Sequence, residues 1–186
     1  MALTFTPSPK VNETCPDFKL PAVDGKDYQK SDFFKGNPVL VMFICNHCPY
    51  VKAIEDRLIQ LGHDLKALGV EVLAICANDS SEYSEDNFEN LKQRWTEKKY
   101  PFPYLHDAKQ NAALDFSAVC TPDFFLYDAK GQLQYRGRLD DSWKDASKVS
   151  RRDLYLAAVE IKAGYAYTEK QIPSMGCSIK WLKDNS

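Results

Sequence analysis

In the stretch FICNHCPYV, residues 43–51, Cys45 and Cys48 stand three positions apart, with His47 between them and Pro49 directly after the second. The trio admits three readings: a redox centre, half of a metal site, or two small thiols filling a core. Redox chemistry needs a thiolate, because a cysteine with the ordinary pKa of about 8.5 is mostly protonated at neutral pH and unreactive. Cysteine and histidine also suit zinc, but four-coordinate zinc needs further ligands. The sequence offers no second paired motif, so no metal is expected, and no cofactor either. Proline rather than histidine follows Cys48, which excludes haem attachment.

The elements around the pair supply what a thiolate needs. VLVMFIC, residues 39–45, is an unbroken apolar run after Gly-Asn-Pro, the pattern of a strand buried on both faces. Val51, Ile54, Leu58, Leu61, Leu65 and Leu68 then recur in steps of three and four, one apolar stripe of a helix. Pro49 fits the first turn of that helix and Gly69 its C-terminal cap. GVEVLAICAND, beginning at Gly69, reads as a second buried strand, so the three elements form a parallel βαβ unit. A sulfur at the strand-to-helix junction meets the orphan N–H groups and positive end of the helix. His47 is expected to favour that thiolate further by charge or hydrogen bond.

Farther on, Phe88, Leu91 and Trp95 give a weaker helical stripe with Ser84 as its candidate N-cap. YPFPYLHD, with two prolines, allows only a short strand, and a short helix follows near residues 111–116. DFFLYDAKGQLQYRG reads as an antiparallel hairpin turning at Asp-Ala-Lys-Gly. Leu154, Ala157, Ala158 and Ile161 mark a final helix. The tail from Tyr165 has no clear period and is left unassigned. The class is α/β, divided into an extension 1–9, a domain 10–164 and a tail 165–186.

Composition excludes several functions. Of 186 residues, 26 are acidic and 24 basic, for a net charge of -2, which provides no field for nucleic acid or anionic lipid. The longest apolar run falls far short of the ~20 residues of a membrane span, and MALTFTPSPK lacks the apolar core of a secretory signal. A cytoplasmic location is therefore expected. The six cysteines at 15, 45, 48, 76, 120 and 177 are too spread out for the framework of a small disulfide-bonded domain.

The run from Cys15 to Cys48, with Pro16-Asp17-Phe18, then Asp24-Gly25 and the buried strand, resembles the redoxin branch of the thioredoxin superfamily, which includes thiol-specific antioxidant proteins. FPYLHD and VCTPDFFLYDAKGQLQYRG resemble later landmarks of that branch, over residues 10–163 in all. FICNHCPYVKAI with the terminal GCSIKW is similar to a peroxiredoxin-like group carrying the Cys-Asn-His-Cys-Pro motif. The resemblance implies a thioredoxin-like fold with a central mixed sheet flanked by helices, an N-terminal hairpin and a C-terminal tail. It also puts Pro122 at the superfamily's cis-proline, where Thr121, Pro122 and Pro49 would frame a substrate. A histidine before the second cysteine occurs in strongly oxidising members, which implies a redox potential above that of a general reductant.

Two registers compete for the nucleophile. Cys45 to Cys48 taken as a Cys-x-x-Cys box makes Cys45 the attacking thiol. The redoxin branch that the chain resembles places its nucleophile five residues beyond a buried phenylalanine, which after Phe43 implies Cys48 instead, with Val51 in place of the second cysteine. Both leave Cys48 at the helix N-terminus, so Cys48 is expected to attack and Cys45 to resolve. Cys120 and Cys177 are candidate auxiliary thiols; Cys177 could fold back to resolve Cys48 but is read first as a flexible tail residue, Cys15 and Cys76 read as core, and His63 and His106 as surface or hydrogen-bonded. The leading expectation is a thiol-disulfide oxidoreductase. The alternative is a thiol-dependent peroxidase, against which stand Val41 and Cys45 where peroxiredoxins carry proline and threonine. A non-catalytic redox-sensing binding module is the third reading. Expected partners are a disulfide or peroxide substrate, small or protein-borne, and a thiol reductant, with no nucleic acid or membrane.

Overall fold

The computed structural model describes residues 3–185, so Met1, Ala2 and Ser186 of the two terminal segments lie outside it. In chain order the elements are β1 (Leu3–Phe5), β2 (Lys19–Pro21), β3 (Asp27–Gln29), α1 (Lys30–Phe33), β4 (Val39–Phe43), α2 (Pro49–Leu68), β5 (Glu71–Cys76), α3 (Phe88–Lys98), β6 (Tyr104–His106), α4 (Asn111–Asp115), β7 (Cys120–Thr121), β8 (Asp123–Tyr127), β9 (Leu133–Tyr135), α5 (Asp153–Lys162) and β10 (Met175–Ser178). The main sheet runs β6-β5-β4-β8-β9, with β4, β5 and β6 parallel and β8 and β9 antiparallel. It is the central mixed sheet expected, and β2–β3 form the N-terminal hairpin.

Every residue of β4 is fully buried, because successive side chains enter opposite layers. Leu40 and Met42 join the layer formed by the α2 stripe and by Leu154, Ala157, Ala158 and Ile161 of α5. Val39, Val41 and Phe43 join the other, with Phe18, Phe33, Ala112, Ala113 and Phe116. Leu58, Leu61 and Leu65 are at most 2 % exposed, so truncating any one of them to alanine costs about 2–5 kcal/mol. Pro49 is the first residue of α2, and Gly69 ends it in the left-handed region, φ 77°, its N–H reaching the carbonyls of Leu65 and Lys66. A side chain with a Cβ would strain that cap.

Two readings of the later chain are corrected. Ser84 does not cap α3: residues 84–86 form a separate 3-10 turn, and Asn87 caps the helix by accepting the N–H of Asn90. The tail also has regular structure. β10 lies between β1 and β7 in an antiparallel three-stranded sheet, with Leu3 opposite Cys177 and Cys177 opposite Thr121. Its neighbours secure it: Ser174 Oγ donates to the Pro122 carbonyl, the Ile179 N–H to Val119 and the Lys180 N–H to Asn78 Oδ1. No helix among the described residues is long and apolar enough to cross a membrane.

Candidate active site

Cys48 is the N-cap of α2 and is wholly buried. Four donors meet its Sγ: the Cys45 thiol, the Val51 and Cys177 backbone N–H groups, and the Cys177 thiol. A single acceptor opposes them, the Thr121 carbonyl at 3.1 Å. The Cys45 hydrogen bond leads the donors in outweighing burial and draws the Cys48 pKa down to about 4. Cys45 moves the other way. Burial, its donation to Cys48 and the charge of Asp86 push it well above the ordinary thiol value. The Thr121 hydroxyl, 3.2 Å from Cys45 Sγ, can donate to that sulfur, completing a line of donation from Thr121 to Cys45 to Cys48.

His47 does not take the place expected of it. Its Nδ1 lies 2.5 Å from Asp86 Oδ2 and 3.7 Å from Cys45 Sγ, and its ring stacks on Tyr83 with centroids 4.3 Å apart. Its close partners are thus a carboxylate and the protonated cysteine, rather than Cys48. His47 Nε2 is buried with no hydrogen-bond partner among the described residues. Asp86 is completely buried. Burial disfavours its charge, but hydrogen bonds from His47, Asn78 and the Asn46 N–H outweigh this and hold its carboxyl below the usual range. It clamps the loop by accepting the Asn46 and His47 N–H groups on Oδ1 and Asn78 Nδ2 on Oδ2. Nothing in the sequence singles out Asp86, since a buried carboxylate and an exposed one look alike in a polar run. Cys45, His47 and Asp86 are also the one group of metal-capable donors gathered within 4.8 Å among the described residues.

The peptide bond from Thr121 to Pro122 is cis, at the position the resemblance implied. Both residues are buried against the pair, while Pro49 stands exposed at the start of α2. Cys120 is buried with its Sγ 3.5 Å from the Pro122 carbonyl, and burial raises its pKa. Cys76 is likewise core, and burial drives the Cys15 thiol up to about 12. The reading of Cys177 as a flexible tail thiol is overturned: it is 2 % exposed on β10 and hydrogen-bonded to Cys48. Its pKa rises to about 12 through burial, that hydrogen bond and the charge of Cys48, opposed by the ammonium of Lys180.

Pro122 lines a groove together with Tyr50, Ile54, Phe124, Trp143 and Met175 and the polar side chains of Arg138 and Asp140. Tyr50 and Trp143 face each other across 4.7 Å.

The chain is similar to two solved structures over nearly its whole length. An uncharacterized conserved protein from Geobacillus kaustophilus is 38 % identical, with 98 % of each chain covered and a TM-score of 0.93. A hypothetical protein from Sinorhizobium meliloti 1021 is 35 % identical, covering 97 % of this chain and 99 % of that one, with a TM-score of 0.92. Among curated proteins, the thiol:disulfide interchange protein DsbE of Vibrio cholerae is 29 % identical over 131 residues, 68 % of this chain and 64 % of that protein's length. Further DsbE proteins match in the same range. These DsbE matches overturn the cytoplasmic location expected from composition. Balanced charge and a lack of long apolar runs do not report a redox compartment. Residues 11–136 match the AhpC/TSA family, and with the thioredoxin-like sheet and the cysteine pair at the mouth of α2 this makes the chain a member of that redox-active redoxin family.

Proposed function

We propose that the protein is a thiol-dependent peroxidase of the peroxiredoxin-like group with the Cys-Asn-His-Cys-Pro motif, and that Cys48 is its attacking thiol. The observation that carries this is the state of Cys48: a sulfur with four donors, wholly buried, beneath a strand that occupies the edge of β7. Such a niche favours a thiolate and admits a hydroperoxide more readily than a disulfide carried on a folded protein. The order of the two enzymatic readings given by the sequence is thereby reversed. In the reaction Cys48 attacks one peroxide oxygen, the O–O bond breaks, and the alcohol or water leaves with a proton, giving a Cys48 sulfenic acid. A neighbouring thiol then condenses with it to a disulfide and water. A dithiol reductant returns both sulfurs to the reduced state. The division into a redoxin unit 10–164 with flanking segments 1–9 and 165–186 accompanies this reading.

The experiment is competition kinetics of the reduced protein with hydrogen peroxide. A pKa near 4 instead of ~8.5 raises the thiolate fraction at neutral pH by roughly 30-fold, but a thiolate of lower pKa is intrinsically less nucleophilic, so a rate far above that of free cysteine reports activation of the peroxide by the site; that rate is expected, and Cys48→Ser falls to background. A rate equal to free cysteine rejects the peroxidase. Thiol-disulfide exchange is the second reading, favoured by the DsbE matches, and rapid reduction of a protein disulfide by Cys48 would promote it.

A further inference from the structure

From the place of β10 we infer that Cys177 is the resolving thiol, and that the oxidised protein carries a Cys48–Cys177 disulfide rather than a Cys45–Cys48 one. The inference rests on the reading of Cys48 as the attacking sulfur and adds the residue that completes its cycle. Cys177 lies opposite Thr121 in the β10–β7 ladder, and both its thiol and its N–H are hydrogen-bonded to Cys48 Sγ. A disulfide brings two sulfurs to about 2.05 Å, and the pairing of Cys177 with Thr121, whose carbonyl lies 3.1 Å from Cys48 Sγ, sets both cysteines against the same residue. The backbone makes this approach possible at Gly176, where a Cβ would stand 2.0 Å from the Thr121 oxygen and 3.0 Å from Pro122 Cδ. Only glycine lets β10 lie this close to the Thr-Pro bond.

Cys45 touches the same sulfur but is poorly placed to resolve it. A resolving thiol must lose its proton as it attacks. Cys45 faces Asp86, whose negative charge opposes that loss, whereas Cys177 faces the ammonium of Lys180. Cys45 is also held by Thr121 Oγ1 in a loop clamped by Asp86. Its part is donation: it stabilises the Cys48 thiolate. In the resolving step the Cys177 sulfur attacks the sulfenic sulfur of Cys48, the S–S bond forms, the S–O bond breaks, and the hydroxide leaves as water with the Cys177 proton. An external dithiol then reduces the disulfide.

The test is oxidation of the full-length reduced protein with one equivalent of hydrogen peroxide or, in parallel, of diamide, followed by alkylation and mass mapping of disulfides. The expected product is a Cys48–Cys177 linked peptide with either oxidant, retained in Cys45→Ser. In Cys177→Ser, peroxide leaves a Cys48 sulfenic acid that a dimedone probe captures. A Cys45–Cys48 link as the main product in the wild type overturns the inference, as does loss of the Cys48–Cys177 link in a folded Cys45→Ser protein. If peroxide fails to oxidise Cys48 while diamide still yields Cys48–Cys177, the peroxidase reading falls and the pairing stands.

Discussion

Asp86 Oδ2 lies 2.5 Å from His47 Nδ1 while its Oδ1 accepts the backbone N–H groups of Asn46 and His47, so one buried carboxylate holds the loop that carries both cysteines. Removing one partner of a buried pair strands the other, at a cost of about 3–5 kcal/mol. Asp86→Ala should therefore lower the urea midpoint sharply; an unchanged midpoint would show that the loop needs no clamp. The same group predicts an acid limb. Its carboxyl titrates below the usual range in the folded chain, so the stability it supplies is complete above the unfolded value of ~3.9 and is lost as pH falls through the lower folded value.

Cys48 predicts a second, separate pH dependence. With its folded pKa drawn down to about 4 and an unfolded value near 8.5, the unfolded chain binds a proton between these values that the folded chain does not. Wild-type stability relative to Cys48→Ser should rise with pH across this window, level off above the unfolded value, and be lost as pH falls toward about 4. Thiolate absorbance near 240 nm should follow the same lower limit and vanish in Cys48→Ser. Absorbance that titrates near the ordinary thiol value in the wild type would remove the basis for a reactive Cys48.

Thiolate stabilisation also bears on redox potential, because favouring the reduced form makes the disulfide a stronger oxidant. The disulfide that Cys48 forms should titrate above the thioredoxin value of about -270 mV, as the histidine beside the second cysteine led one to expect. His47 reaches this end indirectly, through Asp86 and Cys45, so His47→Ala should shift the potential less than Cys45→Ser. The reverse order, read by equilibration with a dithiol buffer, would return the histidine to direct contact with the thiolate.

Gly176→Ala tests how closely β10 must sit. Its Cβ would lie 2.0 Å from a backbone oxygen, which a flexible side chain cannot relieve, so β10 must shift or lift, at about 1–3 kcal/mol. Cys48 should then react faster with a bulky maleimide and the tail should be cut sooner by protease. Wild-type rates for both would mean that the strand opens freely already.

How much of this could be read from the chain depended on element length. β4 and α2 were legible because a continuous apolar run and a six-position stripe leave one packing solution, and Pro49 and Gly69 mark the helix ends by backbone chemistry alone. β10 was not legible. Met-Gly-Cys-Ser is too short to show alternation, and its partner β7 has two residues, so its pairing is decided by tertiary contacts with Thr121 and Leu3. The same holds for Cys177, whose distance along the chain concealed its contact with Cys48. Ser84 failed as a cap because Asn87, three residues on, offers the same chemistry nearer the apolar stripe.

The groove beside Pro122 predicts substrate preference. Its walls are mostly apolar, with the rings of Tyr50 and Trp143 packed together along it, and an alkyl chain entering there gains about 25 cal/mol for each Å² of apolar surface it buries. An organic hydroperoxide with a short alkyl group should accordingly show a lower KM than hydrogen peroxide. Trp143 is 41 % exposed, so Trp143→Ala should leave the fold intact and raise KM for the organic peroxide while hydrogen peroxide is little affected. Equal losses for both peroxides would mean that the ring supports α2 through Tyr50 rather than binding the alkyl group, and a thermal melt of the variant separates these outcomes.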